Sequence, residues 1–246
     1  MKDSRLDTEL FERGLVESRT LAQRLVMEGK VRVNGQMVIK PSHKIRPEDE
    51  LIVEEEARFV SRGGEKLLGA MEAFKIQPDG WVCADVGAST GGFTDCLLQF
   101  GAAKVYAIDV GYGILHWKMR TDPRVVCMER TNARYVEKLP EPVRLVVIDA
   151  SFISLEILLP AVRAWFGEEG GEVVALIKPQ FEAGVKEVSK GEGVISDPKV
   201  HQQVIEKVTS YARAIGFTVK DLITSPLKGP KGNTEFLVWL DYRVTA

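Results

Sequence analysis

Two lysines and two carboxylates stand where regular elements begin or end. Lys66 lies just inside a helical stretch after Gly63-Gly64, and Asp149 follows the apolar run Leu145-Val146-Val147-Ile148. Lys178 follows the run 173–177, and Glu235 opens a last apolar strand. A lysine steadied by a carboxylate can orient a hydroxyl nucleophile and, as the free amine, accept its proton. Any one of the four alone reads as a rim residue in a salt bridge. Four brought to the carboxyl edge of one sheet would make a site. A second group is Ala84-Asp85-Val86-Gly87-Ala88-Ser89-Thr90-Gly91-Gly92-Phe93, which follows the apolar run Trp81 to Ala84. Glycines at such a strand-to-helix bend let the backbone approach a ligand, and the helix start offers unpaired N–H groups. Asp109 ends a second strand about twenty residues on, the spacing of a ribose-binding acid. Together these features predict a nucleoside-bearing cofactor without saying which.

The elements that must position these groups alternate along the chain. Strands are expected near Trp81 and over 104–110, 125–128, 145–148 and 173–177, with helices over 66–74, 93–100 and 200–215 among them. Two further strands, 218–223 and 236–240, flank a turn rich in Gly, Pro and Lys that suits an antiparallel edge pair. This pattern predicts an α/β fold: a seven-stranded, mostly parallel, Rossmann-like sheet with helices on both faces. Ahead of it lies a small α/β unit. Leu6, Leu10 and Leu15 outline a helix interrupted at Gly14, and Leu21, Ala22, Leu25 and Val26 a second one, capped by Ser18 and stopped at Gly29. Val31-Arg32-Val33 and Met37-Val38-Ile39 flank Asn34-Gly35, a strong hairpin signal, and 51–53 reads as a last strand. The expected division is residues 1–56 for the small unit, 57–62 for a linker and 63–246 for the large unit.

Composition excludes several classes. With 246 residues and 45% hydrophobic content, the chain can bury a large core and carry a small appendage. Three scattered cysteines and three isolated histidines give no metal-ligand spacing, so no metal is expected, and the thiols read as reduced, in a cytoplasmic protein. No signal peptide or membrane span is expected, because the most apolar long stretch is broken by Asp149, Glu156 and Arg163. The net charge of −2 conceals a basic segment: between Arg13 and Arg46 there are eight basic residues and two acidic ones. Such a segment points to a polyanion partner for the small unit.

The residues of that unit resemble the S4 RNA-binding domain. The resemblance rests on Arg5-Leu6-Asp7, Gly14, Ser18-Arg19, Ala22, Gly29, Val31-Arg32-Val33-Asn34-Gly35, Lys40-Pro41-Ser42 and Asp49-Glu50-Leu51-Ile52-Val53. It implies a basic face toward RNA carrying Arg19, Arg24, Lys30 and Arg32, which would contact phosphates more than bases. Asp7 reads as structural.

The order Lys66, Asp149, Lys178, Glu235 resembles the Lys-Asp-Lys-Glu set of FtsJ-like ribose 2′-O-methyltransferases. Its surroundings narrow the match: Ser61-Arg62-Gly63-Gly64-Glu65-Lys66, Leu115-His116-Trp117-Lys118, Asp149-Ala150-Ser151-Phe152, Lys178-Pro179-Gln180-Phe181-Glu182 and Gly232-Asn233-Thr234-Glu235. With the glycine turn, these motifs resemble the TlyA (hemolysin A) family. The resemblance implies S-adenosyl-L-methionine as cofactor, methylation of cytidine 2′-hydroxyls in ribosomal RNA, and ribosomal RNA or a ribosomal subunit as partner. It also implies that Asp85 and the turn residues Gly87, Ala88, Ser89, Thr90, Gly91, Gly92 and Phe93 hold the methionine end. Asp109 would take the ribose hydroxyls and Asn132 the adenine. Lys178 is expected as base or hydroxyl-orienting group, crowded against Lys66, with Asp149 and Glu235 fixing the two amines. Residues 183–197, with Lys186 and Lys190, read as a surface loop or as a segment that orders when RNA arrives. Three other readings remain open: an NAD-dependent enzyme on the same turn, a non-catalytic RNA-binding or assembly factor, and a pore-forming hemolysin.

Overall fold

The computed structural model describes residues 4–54, 57–184 and 193–244. The chain divides into two compact units, Met1–Ala57 and Arg58–Ala246.

In the small unit, β1 (Ser4–Arg5) pairs antiparallel with β4 (Lys44–Ile45), a short ladder that the sequence pattern does not announce. Helices α1 (Leu6–Glu12) and α2 (Arg19–Met27) pack on a sheet of β3 (Gln36–Met37), β2 (Val31–Val33) and β5 (Leu51–Val53), in that order. The Ser18 hydroxyl accepts from the Leu21 amide and starts α2, as expected. Asn34 and Gly35 both take positive φ, the conformation a two-residue hairpin turn requires. The apolar positions converge on a core of Leu6, Leu10, Ala22, Val26, Val31 and Ile45. Leu15 lies outside this core and is 42% exposed, because α1 ends before Gly14.

The large unit begins earlier than the sequence pattern predicts. Residues 58–62 form part of it instead of a linker. Phe59 is 3% exposed among Leu67, Met71 and Phe93, and the Val60 amide donates to Asp95 Oδ2 at 2.9 Å. Burying one aromatic ring removes enough apolar surface from water to fix so short a segment.

Seven strands then form one sheet: β6 (Val82–Val86), β7 (Lys104–Ile108), β8 (Val125–Met128), β9 (Leu145–Ile148), β10 (Gly171–Ile177), β11 (Phe217–Thr224) and β12 (Phe236–Tyr242). Their order is β11-β12-β10-β9-β6-β7-β8, and only β12 runs against its neighbours. Side chains alternate strictly. Ala84, Val86, Ile108, Val146 and Ile148 face α6 (Leu155–Arg163) and α8 (Pro198–Ala214). Cys83, Val105, Ala107, Leu145 and Val147 face α3 (Gly63–Phe74) and α4 (Gly92–Gln99). Both faces are covered, which is why the strands read as continuous apolar runs. Two short helices, α5 (Trp117–Arg120) and α7 (Pro179–Glu182), lie after β7 and β10. From β6 the chain winds outward to β7 and β8, then returns to place β9 on the other side of β6. That reversal opens a crevice at the carboxyl ends of β6 and β9.

Candidate active site

The glycine turn lies over this crevice. After β6, Gly87 (φ +81°), Ser89 (φ +50°) and Gly91 (φ +94°) all adopt the left-handed region before α4 begins at Gly92. A Cβ on Gly87 would stand 2.8 Å from the Asp149 carbonyl oxygen. Glycine here therefore lets the ends of β6 and β9 meet. Asp109 braces the turn: its Oδ2 accepts from the Ser89 amide at 2.8 Å and its Oδ1 from the Gly111 amide at 2.7 Å. Beside them is a hollow of about 640 Å³ lined by Gly87, Ser89, Asp109, Asn132, Asp149, Phe152 and Phe181. Asn132 reaches this hollow, while its Oδ1 caps the following turn by accepting from the Arg134 amide.

A second hollow of about 310 Å³ shares Gly87, Ser89, Asp149 and Ser151 with the first. Lys66, Lys178, Ala88, Thr90, Gly92 and Phe93 also line it. The four residues predicted from the ends of distant elements meet here. The Lys66 ammonium donates to Glu235 Oε2 at 2.7 Å across 169 residues of chain. Lys178 Nζ stands 2.6 Å from Asp149 Oδ1 as an ion pair and donates to Ser151 Oγ at 3.0 Å. Both lysines and Glu235 are buried. Lys66 and Lys178 line the same hollow, and each ammonium has its own carboxylate. Pairing is the cheaper arrangement, because desolvated like charges repel and unpaired ones lose their hydration.

Asp85 does not line either hollow. It is fully buried beneath the turn, its Oδ2 accepting from the Thr94 hydroxyl at 2.7 Å and its Oδ1 without a partner. Burial pushes its carboxyl up to about 7; the Thr94 hydrogen bond opposes this and the nearby Asp149 charge adds to it.

Several residues of the site were not singled out from the sequence. Ser151 holds Lys178, and Gln180 donates to Glu235 Oε1 at 3.2 Å. Gly229 leaves room for Glu235, since a Cβ there would sit 2.0 Å from Oε1. Glu182 is structural: it accepts from the Ser154 hydroxyl and the Leu155 amide at the start of α6, and burial raises its pKa. Ser151 and Gln180 each lie two residues beyond a strand-end charge, a spacing that could have flagged them. Gly229 could not have been found this way, because its constraint comes from a contact made only in the fold. Lys186 and Lys190 lie outside the described residues.

The model of the FtsJ-like methyltransferase family matches residues 59–242, and that of the S4 domain residues 4–51. The chain belongs to the FtsJ-like methyltransferase family. This FtsJ-like chain is 46% identical over 241 residues to the 16S/23S rRNA (cytidine-2′-O)-methyltransferase TlyA of Mycobacterium tuberculosis, covering 96% of this chain and 89% of the relative. It is 43% identical over 238 residues to Hemolysin A of Brachyspira hyodysenteriae, covering 95% and 98%. A solved structure from Streptococcus thermophilus that carries a hemolysin name is 44% identical, with a TM-score of 0.75 over 100% of this chain and 90% of that one. Among the described residues, no helix is long and apolar enough to cross a membrane.

FtsJ-like methyltransferases imply S-adenosyl-L-methionine, and the residues present fit it. The turn has the glycines that close approach requires, and with Asp109 and Asn132 it lines a hollow that offers polar groups to such a ligand. In the S4 domain, the expected RNA face is partly self-engaged. Asp7 is buried and accepts from Arg5, Arg19 and Gln23, which holds its carboxyl well below the usual range. Arg32 pairs with Glu54 at 2.6 Å, whereas Arg24 is exposed and stands 3.9 Å from Glu28. Lys30 makes no side-chain bond among the described residues.

Proposed function

We propose that this chain methylates the ribose 2′-hydroxyl of cytidine in ribosomal RNA, acting in the cytoplasm on ribosomal RNA or a ribosomal subunit. The observation that carries this reading is the pair of ion pairs, Lys66–Glu235 and Lys178–Asp149, in a hollow that adjoins the glycine turn. Its identity to a named rRNA (cytidine-2′-O)-methyltransferase over nearly the whole chain supports the substrate class. When bound, S-adenosyl-L-methionine supplies an electrophilic methyl group. Gly87, Ser89, Asp109 and Asn132 would hold it in the larger hollow, with the turn carried by Asp85 and Thr94 below.

A ribose hydroxyl is a weak nucleophile, so catalysis lies in placement and in removal of its proton. Lys178 orients the 2′-oxygen and, as the free amine once its own proton has gone to solvent, receives the hydroxyl proton, with Asp149 and Ser151 fixing its position. Lys66, steadied by Glu235 and Gln180, positions the ribose from the other side. The S4 domain supplies affinity through phosphate contacts of Arg19, Arg24, Lys30 and Arg32. Mapping 2′-O-methyl marks on ribosomal RNA from cells with and without the protein tests the reading. At least one cytidine mark should vanish with the gene and return with the wild-type chain. An unchanged map would end the proposal.

A further inference from the structure

The charges inside the smaller hollow cancel, Lys66 against Glu235 and Lys178 against Asp149. Two further cations line the same hollow, Arg62 and Lys228. Both are exposed, and neither side chain has a hydrogen-bond or ion-pair partner among the described residues. The hollow therefore carries an excess of positive charge that belongs to these two residues alone.

Both cations sit on pinned backbone. Arg62 precedes α3, in a segment held by the buried Phe59 ring, the Val60 amide on Asp95 and the Gly64 amide on the Ser61 carbonyl. Lys228 belongs to the turn between β11 and β12. There the Ser225 hydroxyl donates to the Leu227 carbonyl at 2.8 Å and the Gly229 amide to the Asn233 carbonyl at 2.8 Å. The adjoining Gly229 lets this turn lie against Glu235. A solvated surface cation needs no such fixed base. A cation meant to meet a ligand gains from it, because less freedom is lost on binding.

The chemistry that fits is the phosphodiester. A ribose within an RNA strand carries one phosphate on each side, and phosphates are recognised by the arginine fork and the lysine point charge. Building on the RNA-methylation reading above, we propose that Arg62 and Lys228 grip the backbone phosphates flanking the target ribose, and thereby set its 2′-hydroxyl against Lys178. Both are positioning residues: they fix the nucleotide and take no part in proton transfer. They read no base, so the grip serves any nucleotide that the rest of the protein delivers.

The test uses the full chain with ribosomal subunits that lack the modification, and follows transfer of a labelled methyl group. Arg62→Gln and Lys228→Gln should each lower kcat/KM about fivefold to tenfold at low salt. Each should also reduce the slope of log(kcat/KM) against log[salt] by about 0.7, the signature of one lost phosphate contact. Arg62→Lys and Lys228→Arg should restore most of both. Calorimetric affinity for S-adenosyl-L-methionine should stay unchanged in all four variants. Glutamine variants with wild-type salt slopes would overturn the grip, and so would a weakened cofactor affinity, which would assign the cations to the cofactor carboxylate instead. A wild-type chain that methylates no RNA would overturn the underlying functional reading, a distinct result.

Discussion

In the small unit Asp7 is shielded from solvent and surrounded by Arg5, Arg19 and Gln23; in the large unit Asp85 is shielded too, and is met by the hydroxyl and the backbone amide of Thr94. Two aspartates with no solvent exposure are driven in opposite directions, downward at Asp7 by the guanidinium of Arg5 and upward to about 7 by desolvation at Asp85, which lies far deeper. The difference separates two uses of buried charge. Asp7 ties two helices of an RNA-binding module to each other and is satisfied by the fold itself. Asp85 stands under the glycine turn with one oxygen lacking a hydrogen-bond partner among the described residues, a cost the fold carries beside its site. The tetrad lies between these extremes: both carboxylates are paired, and Asp149 reaches solvent through the hollow while Glu235 is buried behind Lys66.

The largest expected effect breaks the comparison at the tetrad. Asp149→Ala should reduce methyl transfer at least ~100-fold by releasing Lys178, with a lowered melting temperature but an intact fold, because the buried Lys178 ammonium keeps Ser151. Full activity, measured by labelled methyl transfer to ribosomal subunits, would remove Asp149 and Lys178 from the site. Lys66→Ala should act differently, because it strands the Glu235 carboxylate in a fully buried position. A loss of about 3–5 kcal/mol in denaturant unfolding is expected, alongside lost activity. A stable Lys66→Ala protein would mean that Glu235 finds other partners.

Titration sharpens the contrast between the two aspartates. Asp85 is neutral in both folded and unfolded chains below about pH 4. Between there and about pH 7 only the unfolded chain releases this proton, so the stability contributed here falls as pH rises through that window. Asp85→Asn should flatten that decline in a pH series of melting curves. Asp7 has the opposite sign: its contribution is present above its ordinary range and lost on acidification. Asp7→Ala should cost the small unit about 1–3 kcal/mol near neutral pH, less than a fully enclosed pair because Arg5 and Arg19 are half exposed. Parallel pH profiles for the two variants would erase the distinction. The smallest effect is expected at Arg24→Gln, which should weaken RNA binding a few-fold and lower its salt slope by about 0.7, leaving stability unchanged.

Periodicity and strand-end charges made much of this molecule legible from its sequence. The apolar runs over β8 and β9 match the observed strands to the residue, because polar residues mark their ends; β9 is buried on both faces, whereas β8 is an edge strand with Val126 exposed. Lys66, Asp149, Lys178 and Glu235 were readable for the same reason: each interrupts an apolar element at its rim. What could not be read was pairing. Nothing local says that Lys66 takes Glu235 while Lys178 takes Asp149, since that choice depends on which strand lies beside which. The β1–β4 ladder joins two-residue strands about forty residues apart, too short for an alternation signal. The segment 58–62 looked like a linker because its lone aromatic, Phe59, has no periodic company; only the packed helices α3 and α4 give it a place.

The strand that follows Glu235 comes last in sequence among those described, and it lies between β10 and β11 instead of joining the sheet at its border. During synthesis, then, Lys66 waits through 169 residues for its counter-ion, while the RNA-binding module has long since left the exit tunnel. A nascent or C-terminally clipped chain could grasp RNA and still be chemically silent. On the proposed mechanism, a chain that stops before Glu235 keeps the basic face of its S4 domain and lacks the counter-ion of Lys66.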